Sequence, residues 1–197
     1  MEIPLFPLSS VLFPKGRMPL QIFEQRYIDL VRSCMKTDSG FGVVFIKQGS
    51  EVSMPGRRNP RLGNIGTYAR IIDWDSLSNG LLGITVEGCE SFRINSTRRQ
   101  DDNLLLAEVE FTAAAGPIAA DDIHQHLIDV LNALLEHPHA RGMTVEFDLE
   151  DTGEIGNILA QLLPVSDQLK YELLCIESPL QRLERLDEIL GDLSGDL

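Results

Sequence analysis

The chain has 197 residues, 43% of them apolar and 24% charged, with a formal net charge of −13 at neutral pH; that balance supports a soluble globular body, one large domain or two small ones sharing a core. No apolar run approaches the roughly 20 residues needed to cross a bilayer, and Cys34, Cys89 and Cys175 are widely spaced among apolar neighbours, which points to buried free thiols and a cytoplasmic location. Residues 1–116 carry 13 basic and 13 acidic side chains while residues 117–197 carry 4 and 17, so nucleic acid or anionic lipid is repelled by the second part and would have to use the first.

The opening stretch "IPLFPLSSVLFPKGRMPLQIFEQRY" places Pro4, Pro7, Pro14 and Pro19 among the rings of Phe6, Phe13, Phe23 and Tyr27. Glu2 and the prolines break the basic start and apolar run that a secretory signal requires, so the segment is expected to stay in the mature protein as structure. In "FEQRYIDLVRSCMK" the residues Phe23, Tyr27, Leu30, Val31 and Cys34 share one helical face, and Arg26, Asp29, Arg32 and Lys36 face away. This helix is expected to lay its stripe across the mouth of a barrel.

Short β-prone runs follow: "LFPL" (5–8), "FGVVFI" (41–46), "IGTYARIIDW" (65–74), "LLGITVEG" (81–88), "SFRI" (91–94) and "LLLAEVEF" (104–111). Turn signals at Asn79-Gly80 and Asp102-Asn103 separate them, and Ser78-Asn79-Gly80 reads as a hairpin tip. Strands at that frequency predict a compact barrel or sandwich.

After "AAAGPIAADD" the period becomes helical. Ile123, Leu127, Val130, Leu131 and Leu134 form one stripe ended by Pro138, "EIGNILAQLL" a second helix ended by Pro164, and "SDQLKYELLCIE" a third. The fourth is expected to be capped by Ser178, with Pro179 in its first turn and Gln181 completing a capping box, and to bury Leu180, Leu183, Leu186 and Leu190. "RGMTVEFDLEDTG" fits either a short strand or an acidic loop.

Catalytic signals are weak. "GITVEGCE" (83–90) spaces two glycines like a phosphate loop but has Cys89 and Glu90 where lysine and a hydroxyl residue are needed, so it reads as a strand and its turn. Lys15, Lys36 and Lys47 lie in or beside turn-like or polar contexts and Lys170 on a polar helix face, which leaves no buried lysine to pair with a serine. His124 and His126 fall on different helix faces, and no cysteine or carboxylate spacing around them or around His137 and His139 completes a zinc site. Glu146, Asp148, Glu150, Asp151 and Glu154 lack the pattern of a calcium loop and read as a solvated face. No metal, cofactor or catalytic residue is expected.

"PLFPLSSVLFPKGRMPLQIFEQRYIDLV", "FGVVFIK", "GTYARI", "GCESFRI" and "LLPVSDQLKYELLCIESPLQRLERL" together resemble the amino-terminal, substrate-binding domain of Lon-type ATP-dependent proteases, over about Ile3 to Leu186. The departures are Lys15-Gly16 after the "LFP" proline and Leu169-Lys170-Tyr171 where the family often has a Lys-Gln pair. The resemblance implies an α+β fold: a PUA-like β-barrel with one packed helix (residues 1–116), then a C-terminal helical bundle (residues 117–197). "IPLFPL" then lies along a sheet edge, its prolines denying a continuous ladder, while Glu24 or Arg26 ties the helix start to a neighbouring strand.

A full-length Lon protease continues into ATPase and peptidase parts, for which this chain leaves no room, so the resemblance implies a stand-alone, non-catalytic protein- or peptide-interaction module. Its partners would be polypeptide substrates or a partner protein, received in a groove between barrel and helices or at an exposed sheet edge. Phe41, Tyr68, Trp74 and Phe92 are the candidate anchors, though each ring also suits a core. Arg57, Arg58 and Arg61 on a loop are candidate polar contacts. The alternative is an RNA-binding PUA-like module using Arg57, Arg58, Arg61, Arg93, Arg98 and Arg99; the acidic second part and the lack of aromatic-interleaved basic motifs oppose it.

Overall fold

The computed structural model describes residues 1–50, 60–112, 125–136, 148 and 151–195. Its elements in order are β1 (Glu2–Leu8), β2 (Arg17–Ile22), α1 (Gln25–Thr37), β3 (Phe41–Gln48), β4 (Arg61–Ser76), β5 (Leu82–Arg99), β6 (Leu105–Phe111), α2 (Gln125–Glu136), α3 (Thr152–Leu162), α4 (Asp167–Leu174) and α5 (Pro179–Gly195). The class is α+β, with a mixed sheet and several helices.

The strands run in the order β2-β5-β4-β3-β1-β6, and a further pairing joins β6 back to β5. The pairs from β5 through β4, β3, β1 and β6 therefore form a closed circuit, with β2 added outside on β5. Among the described residues only β1 and β3 run parallel, and every other pair is antiparallel.

The opening prolines sit differently from expectation. β1 is flanked on both sides, but the pairing is staggered: Glu2–Leu5 pair with β6 and Leu5–Leu8 with β3. Pro4 and Pro7 thus each lie in a half with a strand on one side only, where a missing N–H costs no ladder bond. β2 was not expected at all. Pro19 interrupts its pattern, yet Arg17–Ile22 pair fully with Glu87–Leu82. The two runs expected at 81–88 and 91–94 are one strand, β5, so "GITVEGCE" is continuous β-structure without the turn expected in it.

Packing is divided among three clusters. Ile3, Leu5, Val44, Phe92, Ala107 and Val109 fill the circuit of strands. Tyr27, Leu30, Val31 and Cys34 of α1 pack on Phe6, Leu12, Leu20, Ile22, Phe41, Ile84 and Val86. The third cluster joins Leu127, Leu131, Ile158, Leu159, Leu173, Leu183 and Leu186 of the helices to Val11, Phe13, Phe45 and Ile65 from the strand part. The helices therefore complete a core with the strands.

Two stripe assignments shift. α1 begins at Gln25, after Glu24, so Phe23 precedes the helix and stays exposed. In α5 the buried apolar positions are Leu183, Leu186 and Ile189, with Leu190 at their margin, whereas Leu180 in the first turn faces solvent. Ser178 Oγ accepts the Gln181 N–H at 3.4 Å, as its capping role requires. The hairpin tip is also as expected: Leu77 and Leu81 close it, and Gly80 takes the left-handed φ of 80°. Ile123 and nearly all of residues 141–150 lie outside the described residues.

Candidate functional site

A cleft of about 220 Å³ lies where the strands meet the helices. Pro14 and Lys15 of the β1–β2 loop, Ile65 of β4, Cys89, Glu90 and Ser91 of β5, and Thr112 form one wall. The other holds Asp151, Gly153, Glu154 and Asn157 at the start of α3, Leu174 at the end of α4 with Cys175 to Glu177 after it, and Pro179 and Arg182 of α5.

Its walls are held by long-range polar bonds. The β1–β2 loop is laid on β5 by Lys15 N–H to Gly88 O (2.8 Å) and Gly88 N–H to Gly16 O (2.9 Å). From the helical side, Gln161 Oε1 accepts the Phe13 N–H at 2.9 Å, and Lys15 Nζ reaches Glu154 Oε1 at 2.9 Å. The Tyr171 hydroxyl donates to Asn64 Oδ1 (2.9 Å) and accepts the Asn64 N–H (3.0 Å), while its ring stacks on Phe45. Burial, together with the neighbouring Cys175 thiol, pushes that hydroxyl up to about 12. Across the rim Arg93 Nη2 meets Glu177 Oε1 at 2.6 Å, both side chains largely exposed.

Arg182 is the buried cation of this site. Its guanidinium donates to the carbonyls of Leu173 and Ile176, at the end of α4, and to Asn157 Oδ1. Burial lowers its pKa to about 10, so it remains charged at neutral pH. Leu173 O, which also accepts the Ile176 N–H, and Ile176 O just past α4 thus meet a positive charge, the sign the helix dipole favours there. Three caps aim the helix starts: Asp151 accepts from Gly153 N–H, Ser166 from Leu169 N–H, and Ser178 from Gln181 N–H.

The residues expected to form a contact surface are not gathered here. Phe41 and Phe92 have no exposed surface and belong to separate core clusters, so neither ring can meet a partner. The Phe92 ring occupies the space above Gly42 and Gly66, where any Cβ would collide with it. Tyr68 is half-buried, packed edge-on against Phe111, with its hydroxyl accepting the Gly40 N–H at 2.6 Å. Trp74 is 58% exposed on the far end of β4, away from the cleft lining. Arg61 opens β4 and is exposed; Arg57 and Arg58 lie outside the described residues.

Other expectations are corrected by contacts. Lys170 is not on a solvated face: its ammonium donates to Gln161 O at 2.7 Å, and burial lowers its pKa. Arg26 does tie the start of α1, but to the Asn103 carbonyl in the β5–β6 turn, and it also pairs with Glu24. Cys34 is buried, whereas Cys89 and Cys175 are half-buried and line the cleft. His126 bonds Asp187, joining α2 to α5, while His124, His137 and His139 lie outside the described residues. Among the described residues no three His, Cys, Asp or Glu side chains gather as a metal site, and no helix is long and apolar enough to cross a membrane.

The open sheet edges are obstructed. Among the described residues β4 beyond Ala69 pairs with β5 alone, and on that stretch Asp73 Oδ1 accepts the Trp74 N–H (2.9 Å) and Asp75 Oδ1 the Ser76 N–H (2.7 Å). Among the described residues β2 pairs only with β5, and it carries Pro19 at its centre. Gln161, Tyr171 and Arg182, which build the cleft, were missed from sequence. The available signal was a lone amide within the apolar run "ILAQLL".

A family model described as the ATP-dependent protease La (LON) substrate-binding domain matches residues 2–192. The chain is 23% identical over 202 residues to the Lon protease of Bacillus thuringiensis (strain Al Hakam), covering 96% of this chain and 24% of that protein. It is 32% identical over 93 residues to Lon protease 2 of Myxococcus xanthus, covering 47% of this chain and 11% of that one. The chain thus spans about a quarter of the length, or less, of these curated relatives. Among solved structures, the Lon N-terminal domain protein from Xanthomonas campestris superposes with a TM-score of 0.75 at 34% identity, over 94% of this chain and 96% of that one. The N-terminal domain of the Mycobacterium avium complex Lon protease shares the fold, with a TM-score of 0.66 at 16% identity over 98% and 99% of the two chains.

Proposed function

The chain belongs to the ATP-dependent protease La (LON) substrate-binding domain family, and from that membership we propose that it is a non-catalytic module that recognises polypeptide segments in the cleft between its strands and its helices. The closed strand circuit is read as a PUA-like β-barrel within residues 1–116, and the helices of residues 117–197 as a bundle fused to it through the shared core. Its setting is the cytoplasm, and its partners are extended or unfolded polypeptides or a partner protein.

The observation that carries this reading is the cleft itself. At about 220 Å³ it is smaller than the roughly 300–1,000 Å³ typical of small-molecule sites, a size that suits a few side chains of an extended segment. Ile65, Leu174 and Ile176 offer apolar contact, and Ser91, Thr112 and Asn157 offer polar groups. Strand addition is the weaker mode of binding, because Pro19 and the carboxylates of Asp73 and Asp75 occupy the open edges. RNA is opposed by Glu90, Asp151, Glu154 and Glu177 in the lining, against the cations Lys15 and Arg182.

Fluorescence anisotropy with a labelled, reduced and alkylated polypeptide tests the reading. The unfolded chain should bind and its folded parent should not compete. Ser91→Trp, which fills the cleft, should weaken binding by about tenfold with the thermal midpoint held. Binding indifferent to Ser91→Trp would place recognition elsewhere.

A further inference from the structure

Resting on the cleft reading, we infer that the segment it takes is cationic: an apolar residue flanked by arginine or lysine. The cleft's carboxylates are unequally engaged. Glu154 is held by the Lys15 ammonium and by the Asp148 N–H, and Asp151 is spent as the cap of α3. Glu177 meets Arg93 in a pair that is 62% and 47% exposed, a bond that a ligand's guanidinium can exchange with little loss. Glu90 is exposed on the opposite wall, and among the described residues it forms no ion pair. Two acidic positions therefore face a ligand from two sides of the rim, one from β5 and one from the α4–α5 connection.

The interior has the opposite character. Arg182 lies inward with its charge already satisfied by carbonyls and Asn157, so a ligand cation is repelled from the floor and kept at the rim. Ile65, Leu174 and Ile176 leave the interior to an apolar side chain. At longer range, 17 acidic against 4 basic residues in positions 117–197 draw a positive segment towards the helical side before contact.

The test compares two short labelled peptides with the same apolar centre, one ending in arginines and the other in glutamates, against the full chain. At low salt the arginine peptide should bind about tenfold more tightly, since each exposed pair is worth up to roughly a fivefold factor, and the preference should shrink as salt rises. Glu90→Gln should cut its affinity about threefold and Glu90→Arg should favour the glutamate peptide. Ser91→Trp should weaken binding of both by about tenfold. Equal affinities that Ser91→Trp still weakens would overturn the cationic preference and leave the cleft reading standing. Arginine-peptide binding that Ser91→Trp leaves intact would overturn the inference as mere surface attraction. No binding by either peptide would overturn inference and cleft together.

Discussion

The side-chain oxygen of Gln161 accepts the backbone N–H of Phe13 at 2.9 Å, a buried bond between residues 148 apart in sequence. It fastens the β1–β2 loop to α3, and the Gln161 carbonyl in turn receives the Lys170 ammonium at 2.7 Å, linking α3 to α4. Gln161→Ala leaves the Phe13 N–H buried without an acceptor. The expected loss is about 2 kcal/mol, read as a fall in Tm of roughly 4–8 °C by calorimetry. An unchanged Tm would show that the loop is held by packing alone.

Gly88 allows the same loop to lie on β5. A Cβ there would run into the carbonyl oxygen of Phe13, a backbone atom that cannot swing away, whereas at Gly80 a Cβ meets open space and only the φ of 80° resists it. Gly88→Ala should therefore cost about 3 kcal/mol and Gly80→Ala about 1 kcal/mol. Urea unfolding of the pair measures the difference. Equal costs would mean that the loop retreats from β5 without penalty.

Much of this fold was legible because its elements have strong local patterns. The unbroken apolar run at 41–46 declares a strand buried on both faces, while the alternation Ala107-Glu108-Val109-Glu110 and the stripe Tyr27, Leu30, Val31, Cys34 declare which face is buried. β2 was not legible, because Pro19 reads as a breaker unless the strand is known to have a partner on one side only. The cleft was legible as a place, between strands and helices, but not as residues. Ring size alone cannot separate Phe92, which plugs the strand circuit, from Trp74, which is exposed. The polar groups that hold the cleft, Gln161, Tyr171 and Arg182, depend on partners more than 100, or on helix ends 6 to 9, residues away, distances at which no sequence period speaks.

Tyr171 gives the stability of the chain a specific alkaline limb. Its hydroxyl is pushed up to about 12 from an ordinary value of 10. The folded state therefore holds this proton more tightly than the unfolded state. The corresponding stabilisation is complete below pH 10 and is lost as pH rises towards 12. Tyr171→Phe keeps the stack on Phe45 but removes the bonds to Asn64, so it should lower stability at neutral pH by about 1–2 kcal/mol. The gap between parent and variant should narrow between pH 10 and 12 in denaturant titrations. A constant gap would mean that the phenol is not the group responsible.

The far end of β4 shows how an exposed strand is kept from recruiting others. Trp74 and Ser76 are two apart, so their N–H groups point to the same side of the strand. Each is taken by the carboxylate just before it, Asp73 or Asp75, so that side offers bound donors and two negative charges to any approaching chain. Ile72 and Trp74, 44% and 58% exposed, make this the place where lost protection would matter most. Replacing both acids, Asp73→Ala with Asp75→Ala, frees two donors beside two apolar side chains. Sedimentation velocity at matched concentrations should then show larger species for the variant than for the parent, with the unfolding midpoint within about 0.5 kcal/mol because the substituted groups are on the surface. Identical sedimentation would mean that twist, and not charge, closes this edge.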